Sequence, residues 1–395
     1  MTLIDAAPRP ALVEEHRLRR FSVEVFDGRD LAAANWPSVD AGPEFLMHVF
    51  QSREFLEVWM ATIGQARNAR CFLVVVRDDD EQPVLYLPLS LETRFNARIL
   101  RFMDAGVADL NAPILVAGQN LTRSEFFAVW GEILSLLPGV DVVDLQKMPS
   151  YVCAAHNPLS YFECRPYKSS GHVVDLTNWD ELSRKRGSTV RMRSKLRRHY
   201  RRLARVDAPS FITNPSGARW HGVFDALADL KRKQYRRTRR DFFAAPGVFD
   251  FYRALAAPGR LGQISHLSAL TCGSHIVAAH LGFIGRDRFY YVLPALDLDY
   301  RSFAVGLMLL DHLIQQCANE RYAMFDLGEG DYSYKRTWET QRLPLLCYEH
   351  GLTAAGLIYG QLRRARQFLD VGQLHEIYAR CFGRGSPLVP AEEMP

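Results

Sequence analysis

The chain has 395 residues, 48% hydrophobic and 24% charged, with a formal net charge of +5. That length favours two domains over one core, and no run approaches the roughly 18–20 uninterrupted apolar residues of a membrane helix. Seven dispersed cysteines without a Cys-x-x-Cys pair argue against a disulfide framework and against zinc; with no basic-then-apolar start resembling a signal peptide, the cytoplasm is the expected location.

Residues 1–20, rich in Pro, Ala and charge, read as disordered, and a first unit is expected over 21–167. It opens with a helix over 45–63 that places Phe45, Val49, Phe55, Val58, Trp59 and Ile63 on one face. Strands follow at 71–76, 84–91 and 99–103, then a loop over 104–113, a helix over 122–137 and a strand over 140–145. The run Asp78, Asp79, Asp80, Glu81 resembles a ligand set but reads as a solvated hairpin tip between two apolar strands.

A second unit is expected over 168–350, starting with a strand at 172–176. Basic helices occupy 184–240, where 19 Lys or Arg stand against 3 Asp. In the first helix Met192, Leu196, Tyr200 and Leu203 form an apolar stripe under Arg191, Arg193, Lys195, Arg197, Arg198, Arg201, Arg202 and Arg205. In the second, the stripe is Val223, Phe224, Leu227 and Leu230, and a basic end runs from Lys231 to Arg240. This face is solvated surface, a rim for phosphorylated ligands, or an RNA contact; the last has little aromatic support beyond Tyr200 and Tyr235. A hairpin over 262–284 carries His266, His275 and His280 among apolar residues, with His280 expected in the core. A short final strand at 345–348 ends the unit, and a helix over 354–370 and a tail make up the segment 351–395.

The most informative stretch is 289–349. A strand (289–293) and a polar loop lead into Arg301-Ser302-Phe303-Ala304-Val305-Gly306, a helix to about Asn319, and a strand, 322–327. Next comes Gly328-Glu329-Gly330-Asp331-Tyr332-Ser333-Tyr334-Lys335. A strand that turns through small residues into a helix start leaves backbone N–H groups unpaired, which suits a phosphate. Asp326 at a strand end, with Glu329 and Asp331 close behind, is a candidate base or amine binder, or a turn cap. Tyr334 and Lys335 are candidates for protonating a leaving thiolate or holding an oxyanion, with a surface ion pair as the plainer role for Lys335. No Ser–His–Asp or Cys–His pattern is present, so direct transfer is expected over an acyl-enzyme.

Arg301, Ala304 and Gly306 resemble the Arg/Gln-x-x-Gly-x-Gly/Ala pyrophosphate motif of the GNAT acyltransferase superfamily, with Ala304 where Gly is more usual. Together with Phe325-Asp326-Leu327-Gly328-Glu329-Gly330-Asp331 and Tyr334-Lys335, the pattern resembles the CelD-like acetyltransferases, relatives of the FemABX peptidyltransferases. The resemblance spans roughly 45–350. It implies an α/β (α+β) fold of two tandem GNAT-like domains with mixed, mostly antiparallel sheets flanked by helices. It also implies acyl-CoA, such as acetyl-CoA, as co-substrate held at Arg301, Ser302, Ala304, Val305 and Gly306, and no metal. The acceptor implied is a small amine or amino sugar of polysaccharide or cell-envelope metabolism. Two alternatives remain: transfer from an aminoacyl-tRNA, and a non-catalytic nucleotide or nucleic-acid binder.

Overall fold

A computed structural model describes residues 19–368 apart from 29, 186, 239 and 240. Most of the expected N-terminal disordered segment, and the tail from 369 onward, lie outside the described residues. Twelve strands form the spine of a single mixed sheet: β1 (Ser22–Asp27), β2 (Arg70–Arg77), β3 (Pro83–Arg94), β4 (Ala97–Phe102), β5 (Val142–Pro149), β6 (Arg165–Asp175), β7 (Pro209–Thr213), β8 (Ser265–Cys272), β9 (His275–Ile284), β10 (Arg288–Leu296), β11 (Met324–Glu329) and β12 (Gln341–Gly351). Their spatial order is β1-β2-β3-β4-β5-β12-β6-β11-β10-β9-β8-β7. Two short strands, Phe45–Leu46 and Ile114–Val116, extend it at β3. Eight α-helices are described: α1 (Arg53–Trp59), α2 (Arg123–Leu136), α3 (Trp179–Lys185), α4 (Gly187–Leu203), α5 (Gly217–Thr238), α6 (Val248–Leu255), α7 (Val305–Asn319) and α8 (Ala354–Phe368).

The order reveals two similar runs facing each other. In each, antiparallel strands lead to one parallel pair, β4 with β5 and β10 with β11. The runs then exchange strands. β6, which follows the first run in sequence, lies against β11 of the second; β12, from the chain's end, lies against β5 of the first. β6 and β12 pair with each other, so the two runs share one continuous sheet rather than two.

Side-chain alternation explains how both faces are covered. On β2, Leu73 and Val75 point into one core while Phe72, Val74 and Val76 point into another. The second core is closed by α2 through Phe126, Val129, Trp130 and Ile133, a spacing that puts all four on one helix face. The first core reaches across both runs, where α1, α5 and α6 bring Phe55, Phe224 and Phe251 against Phe283 and Tyr290. Phe55 meets Phe251 and Phe283 edge-to-face at 5.1 and 5.3 Å. Each such ring, fully buried, contributes about 1.5–3 kcal/mol.

Two expectations are corrected, and the reading of the acidic run as a hairpin tip is met. Phe45 is not helical: it pairs with Val116 in a short strand, and the helix starts only at Arg53. The single helix over 45–63 is replaced by that strand, a 3-10 turn, α1 and a π turn at Met60–Gly64. In α4 Tyr200 is exposed, its hydroxyl reaching Pro209 O, and His199 is buried beside Leu196 and Leu203. The acidic run at 78–81 forms the β2–β3 turn, where Asp78 Oδ1 accepts from the N–H groups of Asp80 and Gln82.

Candidate active site

The parallel pair β10–β11 is joined only at its start, through Arg288 with Met324, Phe289 with Phe325 and Tyr290 with Asp326. Beyond Tyr290 the two strands part and leave a wedge. The register of β10 against β9 slips by one residue between Tyr290 and Leu293, so β10 carries a bulge at Tyr291–Val292. Past the bulge the Asp297 N–H donates to Val277 O on β9. Residues 293 and 295 therefore also bond toward β9, and Val292, Pro294 and Leu296 turn their backbone groups to the open side. The Tyr291 carbonyl faces that side too, lying 3.3 Å from where a Cβ on Gly328 would sit. Two consecutive residues thus present backbone polar groups to the wedge.

At the wedge mouth a 3-10 turn, Leu298–Phe303, leads into α7. Ala304 closes the turn with φ 57° and ψ 37°, left-handed backbone in which glycine is easier. No side chain caps α7 and its first turn holds no acid. The N–H groups of Val305, Gly306 and Leu307 therefore begin without an intrahelical acceptor. Arg301 and Ser302 are exposed beside them. α4 packs alongside: Arg193 pairs with Asp311 of α7 at 3.3 Å, and the Arg202 guanidinium lies 5.3 Å from the Phe303 ring. Arg191, Lys195, Arg197, Arg198 and Arg201 remain exposed on that helix, as does Arg205 just beyond its end.

The strand-end residues sort differently from one another. Asp326 is 1% exposed and fully engaged: Oδ1 accepts from the Gly328 N–H at 2.9 Å and Oδ2 faces Arg288 at 3.4 Å. Burial raises its pKa, with Arg288 and the Gly328 N–H pulling the other way. Lys335 is buried, its Nζ donating to the carbonyls of Gly328 and Glu329 at 3.0 and 2.7 Å. Burial lowers its pKa, opposed by Asp109, Asp326, Glu329 and Asp331. Glu329 accepts from Ser169 Oγ. Asp331 points outward to His172 at 3.0 Å and Arg342 at 2.6 Å. Tyr334 is half-buried and stacks near Tyr332, and burial pushes its phenol up. His280 is fully buried, stacked on Tyr291 at 4.2 Å, and burial holds it well below the ordinary imidazole range.

One residue was not singled out from the sequence. Asp109 comes from the loop after β4, in the other run of strands, and reaches across to β11. A Cβ on Gly328 would lie 2.5 Å from Asp109 Oδ2, so Gly328 (φ 78°) is what lets the carboxyl in. Asp109 is only partly buried, and no hydrogen bond reaches its side chain from the described residues. Burial pushes its pKa up to about 7, against the pull of Lys147 and Lys335 and with the help of Asp326 and Glu329. The loop is pinned by Asp104, whose Oδ1 accepts from Gly106 and Ala108 N–H and whose Oδ2 meets Lys147 Nζ at 2.8 Å. A carboxyl at the base of an open wedge that exchanges its proton near neutrality is suited to general base work.

Residues 190–336 match the family model described as the acetyltransferase (GNAT) domain. That segment is thus similar to a GNAT acetyltransferase domain, and it contains α7, the wedge and Lys335. Among solved structures the chain is similar to FemX, at 10% identity and TM-score 0.54, covering 82% of this chain and 97% of that one. It is also similar to the C-terminal domain of a putative lysylphosphatidylglycerol synthetase from Agrobacterium fabrum, at 12% identity and TM-score 0.49, covering 78% and 95%. A third is a tandem GNAT protein from the clavulanic acid biosynthesis pathway, at 13% identity and TM-score 0.47, covering 84% and 100%. The FemX likeness is one of fold. A sequence search of curated proteins finds no match. No helix among the described residues is long and apolar enough to cross a membrane.

Proposed function

We propose that the protein is an acyl-CoA-dependent N-acyltransferase in which the segment 168–350 holds the donor and the segment 21–167 supplies the acceptor side. The donor's pyrophosphate sits on the N–H groups of Val305, Gly306 and Leu307, with Arg301 and Ser302 at the rim and Ala304 shaping the turn. Its amide-bearing arm runs along the open edge of β10, and the thioester carbonyl reaches the bulge, where backbone N–H can hold the oxyanion. Asp109 takes the proton from the acceptor ammonium. The freed amine attacks the carbonyl carbon, the C–S bond breaks, and the thiolate leaves. Tyr334, kept protonated by burial, returns a proton to sulfur. Asp326 and Lys335 hold the end of β11 in shape around Gly328 rather than meeting the substrate.

The observation that carries this reading is the uncapped α7 N-terminus at the mouth of a wedge whose base holds a carboxyl titrating near 7. The CelD-like resemblance adds an amino sugar of polysaccharide metabolism as the acceptor. Thermal stabilisation by acetyl-CoA and longer acyl-CoAs tests the donor site, with bulk tRNA as the parallel ligand because the exposed arginines of α4 flank the same turn. At Gly306 an added Cβ already lies 3.0 Å from Leu296 Cδ2. Gly306→Asp, which also brings a negative charge, should abolish the acyl-CoA shift. An unchanged shift in that variant refutes the site, and a salt-sensitive shift with tRNA alone moves the donor to an aminoacyl-tRNA.

A further inference from the structure

The wedge contains a primary amine that the proposed transfer does not use. Lys231, on α5, sends its Nζ to Pro294 O at 2.9 Å. Pro294 is one of the β10 residues whose backbone turns to the open side, so this contact places the amine on the edge along which the donor arm is proposed to lie. A proline there has no N–H to offer, and its carbonyl is the only backbone group available at that step. The Nζ also sits 5.3 Å from the Tyr235 ring. Across the wedge, the Tyr332 ring lies 5.5 Å from Lys335 Nζ. Lys231 and Lys335 thus reach the two strands that border the wedge, one at Pro294 O on β10 and the other at Gly328 O on β11.

Among the described residues no carboxylate holds this lysine as an ion pair. Burial alone acts on it and brings its pKa down to about 8, so a useful fraction of the amine is neutral in mildly alkaline solution. Val292, where the bulge would receive the thioester carbonyl, is two residues from Pro294, roughly 7 Å along the strand. A lysine stem spans that distance by changing rotamer, and one hydrogen bond to a carbonyl is little to give up.

We propose that Lys231 is a self-acylation site: in the absence of acceptor, its amine takes the acyl group from the bound thioester. The Nζ lone pair forms the N–C bond, the C–S bond breaks, and the amine proton and the thiolate leave as free thiol. The product is a neutral amide at the edge of the wedge, so the cation is lost and the acceptor's space is filled. Acyl-lysine is stable, and the modification limits turnover when donor outruns acceptor.

This inference rests on the acyl-thioester reading, and the experiment separates the two. The full-length protein is incubated with acetyl-CoA at about pH 8.5 without acceptor, and its peptides are sequenced by mass spectrometry alongside a thermal-shift measurement. The expected result is stabilisation by acetyl-CoA together with one acetyl group per chain, at Lys231, accumulating faster than on any exposed lysine. Lys231→Arg, which keeps the contact to Pro294 O but cannot be acylated, should retain the thermal shift and lose the modification. Gly306→Asp should lose both. Stabilisation without acetyl at Lys231, or acetylation spread evenly over surface lysines, overturns the inference and leaves the donor site standing. No stabilisation overturns the inference and the donor reading together.

Discussion

Asp109→Asn separates a catalytic carboxyl from a structural one, because its effects on activity and on stability have opposite signs. If Asp109 is the base, kcat/KM of the native protein falls about tenfold per pH unit below its pKa of about 7. The amide cannot accept the proton, so the variant should lose about 10²–10⁴-fold in rate and its pH profile should flatten in that range. Stability moves the other way. An unfolded aspartate releases its proton above 3.8, whereas the folded one holds it until about 7. Between these values the folded state binds more protons, so stability falls as pH rises across the window and stays reduced above it. The rise corresponds to at most about 4 kcal/mol, less where water reaches the carboxyl. Asparagine carries no such penalty, so the variant should be more stable at pH 8 and indistinguishable at pH 4. At about 2.1 cal/mol/K per residue over roughly 350 ordered residues, the gain at pH 8 is about 5 °C in Tm at most. Steady-state kinetics from pH 5.5 to 8.5 and thermal melts at pH 4 and 8 read both effects. A variant that keeps more than about a tenth of native activity, or that melts below the native protein at pH 8, refutes the assignment.

Gly328→Ala should cost about 1–3 kcal/mol, since φ 78° is left-handed and the new Cβ would meet Asp109 Oδ2 at 2.5 Å. Its kcat should fall while the acyl-CoA thermal shift persists, and loss of donor binding in equal measure would contradict the placement of Asp109. Lys147→Met leaves Asp104 buried without its cation and should destabilise by about 3–5 kcal/mol, read by chemical denaturation. A neutral result there would mean the 104–111 loop is held by its backbone bonds alone.

Local pattern made much of this fold readable. The β-branched run at 71–76, the hairpin at 262–284 and the strand–turn–helix ending in α7 all form as their periodicity dictates, because each is stabilised mainly by its immediate neighbours. What escaped was whatever depended on partners far along the chain. Phe45 fits a helical face in sequence, yet Val116 claims it for a strand. Tyr200 fits the apolar stripe of α4, but its hydroxyl stays at the surface and His199 turns inward. Asp326 carries the motif and is the conspicuous acid on paper. Its turn N–H and Arg288 consume it, the capping role that the residue type also allows. Asp109 had only the composition of an ordinary loop. Its pKa is made by burial and by Lys147, Lys335 and Asp326, which the sheet alone brings together.

The strand exchange also bears on why the two runs, alike in topology, differ in what they offer. α2 follows the parallel-paired strand β4 as α7 follows β10, so their N-termini are counterparts. At α2, Thr122 and Glu125 form a reciprocal cap: the Glu125 carboxylate accepts from the Thr122 N–H at 2.7 Å while Thr122 Oγ1 accepts from the Glu125 N–H. A carboxylate in that place satisfies the helix dipole and repels a second anion. At α7 the corresponding groups have no cap and no acid, and the α4 arginines crowd beside them. The asymmetry favours one phosphate-bearing donor per chain, bound at the second run. The first run contributes through its β4 loop instead, sending Asp109 across to β11, where β6 and β12 have stitched the two runs into one sheet. On the proposed reading donor site and base come from different runs, and neither run alone holds both.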